Sequence, residues 1–329
     1  MTPESDTGAE TAREARQDDI GETQMQATLR QTVRFSGVGL HTGRLARVSV
    51  QPQAANMGIW FARGDRPGAP LIPALYDSVP ESRLCTRLVG EDGSAVSTVE
   101  HLMAALAGCG IHNALVEVDG PELPILDGSA APFVRAFLSA GIQRQQAPVH
   151  AIEVLEPVSV VDGTARATLA PSDRPVMEFA IEFADAAIGR QRRVADLANG
   201  RFVRELCDSR TFCRKADVDA MHAAGLALGG SFDNAVVVDG DTVLSPGGLR
   251  HADEAVRHKM LDALGDLALA GAPIIGLYTG ERAGHMLTNR LLRALFATPG
   301  AWRVVECTPE QAARLPGIGV TGADLAHVA

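Results

Sequence analysis

Three ionisable side chains, His258, Asp262 and Asp266, stand four residues apart in the apolar-periodic stretch Asp253–Ala270. A helical step of four residues returns to the same face with about 6 Å between successive members, so the three form one row. Imidazole and carboxylate are zinc ligands, and a catalytic zinc site takes three protein donors and keeps a fourth position for water. His258 and Asp262 supply two donors from one stripe. The third has to come from elsewhere, and the candidate is His101 in Ser97-Thr98-Val99-Glu100-His101, where the adjacent Glu100 is a candidate base for water. His285, in Gly284-His285, is the candidate imidazole acid, since an amide nitrogen must be protonated before it leaves.

Each feature also has a plainer reading. Ser97-x-x-Glu100 fits a capping box, a lone His-x-x-x-Asp step is usually a solvated face or a local ion pair, and His285 fits a loop histidine satisfied by backbone. Gly37-x-Gly39 lacks the third glycine of a dinucleotide fingerprint, and Asp127-Gly128-Ser129 reads as a tight turn with an N-cap serine. His41, His112, His150, His222, His251 and His327 read as structural or surface residues. Two other functions stay open at this point: a zinc amidase for another N-acetylated sugar, and a non-catalytic zinc-stabilised binding protein. The second is disfavoured because structural zinc sites close with four protein ligands, often thiolates.

The elements that must position these residues form two similar blocks. Helices are expected over Ser97–Ala107, Ala131–Ala140, about Asp217–Ala224 and Asp253–Ala270, and strands over Ala46–Val50, Ala114–Val118, Ala151–Val161, Ala165–Leu169 and Met177–Phe183. In the last helix Val256, Met260, Ala263, Leu264 and Leu267 make one apolar face, with Asp253 and Glu254 in the first turn and Gly271 and Pro273 beyond the end. Strands and helices recur in the same order twice, which suggests an α+β protein of two domains with a boundary near Pro148. Residues 25–148 form the first domain and 149–310 the second on this reading, with 1–24 a disordered acidic tail and 311–329 a C-terminal tail. Met25 is an alternative start.

Charge and cysteine usage narrow the partners. Net charge is -10, of which residues 1–24 carry -5 through seven acids and two arginines, leaving a mildly acidic remainder with no basic stripe interleaved with aromatics. Such a surface excludes nucleic acid as a partner. Cys85, Cys109, Cys207, Cys213 and Cys307 are odd in number and contain no C-x-x-C pair, as expected of reduced thiols in the cytoplasm. No secretory signal and no run of eighteen apolar residues occurs, so no transmembrane segment is expected.

The ordered segments Ser97-Thr98-Val99-Glu100-His101-Leu102, Asp127-Gly128-Ser129-Ala130, Ser209-Arg210-Thr211-Phe212, Gly229-Gly230-Ser231-Phe232-Asp233-Asn234, Arg257-His258-Lys259-Met260-Leu261-Asp262 and Gly284-His285 closely resemble UDP-3-O-acyl-N-acetylglucosamine deacetylase. Gly37-Val38-Gly39-Leu40-His41-Thr42-Gly43 matches that family's opening segment, and the resemblance runs from about Thr28 to beyond Leu295. It implies the zinc-dependent removal of acetate from a UDP-linked acylated amino sugar, the committed step of lipid A synthesis. It implies zinc on His101, His258 and Asp262, Glu100 as base and His285 as cationic acid. Thr211 would stabilise the oxyanion, Asp266 would orient His285, and Lys259 would be a substrate-binding cation.

The implied fold is a pair of similarly built two-layer α/β sandwich domains packed against each other, each with a small insert and with the site at their interface. An acyl passage after Phe212 would be lined by Val218, Gly230 and Val237, and Phe183 would stack on uracil. No oligomer is implied, and an acylated substrate leaves room for transient association with a membrane surface. Two departures, Arg214 where the family often has phenylalanine and Ala165 (beside Arg166) where some members have a lysine, bear on substrate preference rather than reaction type.

Overall fold

The computed structural model describes residues 25–81 and 84–328, so the expected acidic tail lies outside the described residues. Two five-stranded sheets dominate. The first runs, in spatial order, Val33–Val38, Leu45–Pro52, Ala114–Val118, Ile59–Arg63 and Ile72–Pro73. The second runs Val158–Asp162, Ala165–Ala170, Leu277–Glu281, Val176–Glu182 and Arg190–Asp196. Ranked along the chain, both read first, second, fifth, third, fourth, and in both the central strand is antiparallel to one neighbour and parallel to the other. A repeat that residue alignment by eye does not reveal is therefore present in the topology. The mixture of antiparallel-rich sheets with separate helices makes the architecture α+β.

Alternation explains which face of each sheet is buried. In Leu45–Pro52 the side chains of Ala46, Val48 and Val50 are buried while Leu45 and Arg47 are exposed, and in Val176–Glu182 the buried set is Met177, Phe179 and Ile181. Among the described residues the α-helices are α1 (Glu100–Gly108), α2 (Ala131–Ala140), α3 (Lys215–Ala223), α4 (Glu254–Ala268), α5 (His285–Ala297) and the short α6 (Pro309–Ala312). Eight of the nine residues of α1 are buried, as fits a helix that is apolar nearly all round and lies inside the molecule. It packs along α4, and α5 packs against both α4 and the second sheet. One continuous core joins Val48 and Phe61 of the first sheet to Leu102, Met260, Leu291 and Phe179.

A glycine sets how closely α1 and α4 approach. A Cβ on Gly265 would lie 2.0 Å from the carbonyl oxygen of Glu100, so the helices meet backbone to backbone at this point. Gly265 stands between Asp262 and Asp266. The contact therefore delivers the first turn of α1 to the ionisable stripe of α4.

Several elements differ from expectation. The helix expected from Ser97 begins at Glu100 with Val99 as its N-cap; Ser97 ends a short strand and Thr98 has φ of 60°, so no capping box forms. The strand expected over Ala151–Val161 divides into His150–Val154 and Val158–Asp162, which belong to different sheets. Pro157 between them cannot donate to a ladder. Helix α5 was not expected: its N-cap, Gly284, supplies no side chain and so no capping signal. Residues 311–328 pack back on the body, where Asp324 accepts from Arg204 Nε at 2.7 Å and Val328 O accepts from Arg135 Nε at 2.6 Å. Among the described residues no helix is long and apolar enough to cross a membrane.

Candidate active site

His258 and Asp262 lie one turn apart on α4, and the crossing with α1 brings His101 against them. The three ligand atoms lie within 4.8 Å of one another, and all three residues are buried. His258 donates through Nδ1 to Ser209 O at 2.9 Å, which leaves Nε2 with its lone pair facing the cluster. Burial lowers the His258 pKa to about 4 against the pull of Asp262, so the ring is neutral, the form that binds metal. Asp262 Oδ2 accepts from Lys259 Nζ at 2.7 Å, whereas Oδ1 is buried with no hydrogen-bond partner, 3.2 Å from His258 Nε2 and 3.5 Å from His101 Nε2. Burial would raise the Asp262 carboxyl, but His258, Lys259 and His285 outweigh it and hold it well below the usual range. Two imidazole nitrogens converging on an orphaned carboxylate oxygen fit a divalent cation of borderline softness such as zinc.

The candidate acid–base pair stands beside this cluster. Glu100 Oε1 lies 3.7 Å from His285 Nε2, and His285 Nδ1 donates to Asp266 Oδ2 at 2.9 Å. Burial alone would lower the His285 pKa, but Asp266, Glu100 and Asp262 raise it to about 9, so the ring is an imidazolium at neutral pH. Burial raises the Glu100 pKa, with His285 and His101 opposing. Both shifts are upward: Glu100 becomes a stronger acceptor of a proton, and His285 keeps its proton at neutral pH.

The remaining candidates are placed as follows. Thr211 is half-buried; its N–H donates to Gly128 O at 2.8 Å and its carbonyl accepts from Val236 N at 2.8 Å. A Cβ on Gly128 would lie 1.9 Å from Asn234 O, so the Asp127-Gly128-Ser129 turn is the seat on which Thr211 and the Gly229–Asn234 loop rest. The Phe212 ring lies 6.3 Å from the His258 ring and 5.4 Å from Phe183, edge to face in both cases. The strand Phe212–Arg214 pairs in parallel with Val236–Asp239, which carries the buried Val237, and α3, which carries the half-buried Val218, packs on this small sheet. Gly230 is exposed in the neighbouring loop. Arg214 is paired with Asp185, and Ala165 and Arg166 open an inner strand of the second sheet.

The family model for UDP-3-O-acyl N-acetylglycosamine deacetylase matches residues 26–297. The chain is 50% identical over 280 residues to the UDP-3-O-acyl-N-acetylglucosamine deacetylase of Phenylobacterium zucineum (strain HLK1), covering 85% of this chain and 96% of that one. It is 46% identical over 287 residues to the enzyme of the same name from Shewanella sp. (strain W3-18-1), covering 87% and 94%. The chain belongs to this deacetylase family. Membership makes it a hydrolase, and the buried cluster is compatible with a metal.

Three residues that hold the candidate groups in place carry no assigned role in the sequence reading. Buried Glu122 accepts from His41 N and Thr42 N, both at 2.8 Å, from Thr42 Oγ1 at 2.7 Å and from Thr98 Oγ1 at 3.0 Å. It thereby ties the Gly37–Gly43 segment to the left-handed residue that precedes α1. Thr86 touches both Glu100 and Asp266, and Ser209 holds His258. No spacing pattern marks Glu122 or Thr86, whereas Ser209 opens the segment Ser209-Arg210-Thr211-Phe212. His41, which reads from sequence as structural or surface, has both ring nitrogens buried without a hydrogen-bond partner, and burial lowers its pKa with Glu122 opposing and His285 adding to the fall.

Proposed function

We propose that the chain hydrolyses the acetamide of UDP-3-O-acyl-N-acetylglucosamine, releasing acetate and UDP-3-O-acyl-glucosamine for lipid A synthesis, with zinc held by His101, His258 and Asp262. The supporting observation is the juxtaposition of that donor cluster with Glu100 and His285, whose facing atoms are 3.7 Å apart. The family matches supply the substrate, since the relatives carry that name.

A bound zinc ion supplies Lewis acidity at the scissile amide. The protein's own groups do the rest. Glu100 Oε1 takes a proton from the attacking water, the Thr211 hydroxyl donates to the developing oxyanion, and His285 Nε2 gives its proton to the departing amine. Asp266 holds the His285 ring through Nδ1 and favours its charged form. Lys259 is a cation beside the ligands; its ion pair with Asp262 means that it also fixes which carboxylate oxygen faces the cluster. Phe183 stacks on uracil, and Phe212, Val218, Gly230 and Val237 contact the acyl chain.

In this reading the two sheets of identical strand order are the cores of two domains, 25–148 and 149–310, with the site at their interface. A UDP-sugar substrate places the reaction in the cytoplasm. Among the described residues the cluster offers three donors rather than the four of a closed structural site, which favours catalysis over a purely structural metal. The test is metal content and acetate release measured on one purified sample, with acylated and unacylated UDP-N-acetylglucosamine. Release from the acylated substrate alone supports the reading, and equal release from both would replace it with a general sugar amidase.

A further inference from the structure

We propose that Thr86 is a positioning residue that orients both members of the acid–base pair, an inference that rests on the deacetylase reading above. Thr86 is buried and immediately precedes the strand Arg87–Val89. Its hydroxyl donates to Asp266 Oδ1 at 2.5 Å, and its backbone N–H donates to Glu100 Oε2 at 3.1 Å. One residue thus binds one oxygen of each carboxylate.

The free oxygens are the ones the chemistry uses. With Asp266 Oδ1 engaged, Oδ2 is left to accept from His285 Nδ1 at 2.9 Å. With Glu100 Oε2 engaged, Oε1 is left facing His285 Nε2 at 3.7 Å. An ionised carboxylate only accepts, so the hydroxyl proton has to point at Asp266 and the contact has a single sense. The two oxygens of a carboxylate are otherwise equivalent by rotation, and a dedicated donor on one removes that freedom. The β-branch of threonine restricts χ1 and keeps the hydroxyl aimed. The backbone of Thr86 is itself pinned, its carbonyl accepting from Val99 N at 3.3 Å just ahead of α1. The chain Thr86–Asp266–His285 therefore sets the ring plane of the acid, and the same residue sets the rotamer of the base.

The test deletes the hydroxyl and keeps the shape. Thr86→Val is expected to lower kcat by about 10- to 100-fold, with KM within about threefold and zinc content unchanged, because misaligned proton transfer costs turnover rather than ground-state binding. Thr86→Ser, which restores the donor, is expected to recover kcat to within about fivefold of wild type. In a double-mutant cycle, Thr86→Val added to Asp266→Asn should cost no more than about threefold beyond Asp266→Asn alone, since both act through one chain. Should Thr86→Val fail to fold, Thr86→Ala deletes the hydroxyl without adding a methyl group and carries the same expectations. A folded hydroxyl-free variant with wild-type kcat, a serine variant as impaired as the valine one, or losses that multiply in the cycle would overturn the assignment. So would unfolding of both hydroxyl-free variants, which would make the role one of stability. Wild-type protein that releases no acetate from the acylated UDP-sugar refutes the deacetylase reading itself, and the role of Thr86 falls with it.

Discussion

Asp266→Asn should move the basic limb of the pH–rate profile rather than simply lower it. His285 sits at about 9 because carboxylates outweigh burial, and Asp266, in direct contact at 2.9 Å, heads the raising groups. It is also outside the metal cluster, so its charge is not neutralised when a cation binds. An opposite charge in contact favours the charged form of a base, so removing it should bring the His285 pKa down. A group with a raised pKa is protonated, and competent as an acid, below that pKa and loses the proton as pH rises through it. At a pH above both the wild-type and the variant pKa the imidazolium fraction is proportional to the ring's affinity for the proton, so losing a contact charge should cost about 10-fold or more there. At a pH low enough to protonate both rings the same comparison gives no loss from protonation, leaving only a pH-independent cost of poorer ring orientation. The measurement is kcat/KM for acetate release from about pH 5.5 to pH 10, whose limbs report the site as a coupled whole. A profile displaced downward with its basic limb unmoved would show that Asp266 does not sustain the charge on His285, and the acid assignment would lose its electrostatic basis.

Further outcomes follow from the same geometry. His101→Ala, His258→Ala and Asp262→Ala should each lower zinc measured by metal analysis, and stoichiometric zinc in all three would refute the ligand set. Glu100→Gln should keep zinc and fold but lose about 10²- to 10⁴-fold in kcat, so a variant above half of wild-type turnover would defeat the general-base role. Gly265→Ala places a Cβ 2.0 Å from Glu100 O and should cost about 1–3 kcal/mol of stability together with activity, read by thermal melting and turnover. Shortening the substrate's acyl chain should weaken binding by up to about 0.8 kcal/mol for each methylene that would have been buried, measured as KM across a chain-length series.

What was legible in the residues is what one element holds by itself. The row His258, Asp262 and Asp266 follows from helical periodicity, and α4 is observed over Glu254–Ala268 with all three buried. Helix α2 and the strand Ala114–Val118 also match, because their apolar patterns are uninterrupted. By contrast Ser97-x-x-Glu100 satisfied a local rule that tertiary structure overrode: Ser97 N donates to Pro121 O and its carbonyl accepts from Leu123 N, so its backbone is spent on a neighbouring segment. Helix α5 carries Leu287, Leu291, Leu292 and Leu295 at helical spacing, a periodic signal that the sequence does contain.

The contacts that assemble the site are of a different kind, because they join residues that no window contains. Thr86 reaches Asp266 across 180 positions, and Ser209 reaches His258 across 49. One sequence clue to such a contact did exist. Gly265 lies inside a long helix, where glycine costs about 1 kcal/mol relative to alanine, so its presence called for a packing reason. The reason is the backbone crossing with Glu100, and this crossing determines that the base and His101 on one helix meet Asp262 and Asp266 on the other. Hence a residue with no side chain and no chemistry controls the distance on which the proposed chemistry depends, and a Cβ there would push apart two helices whose ligand atoms now lie within 4.8 Å of one another.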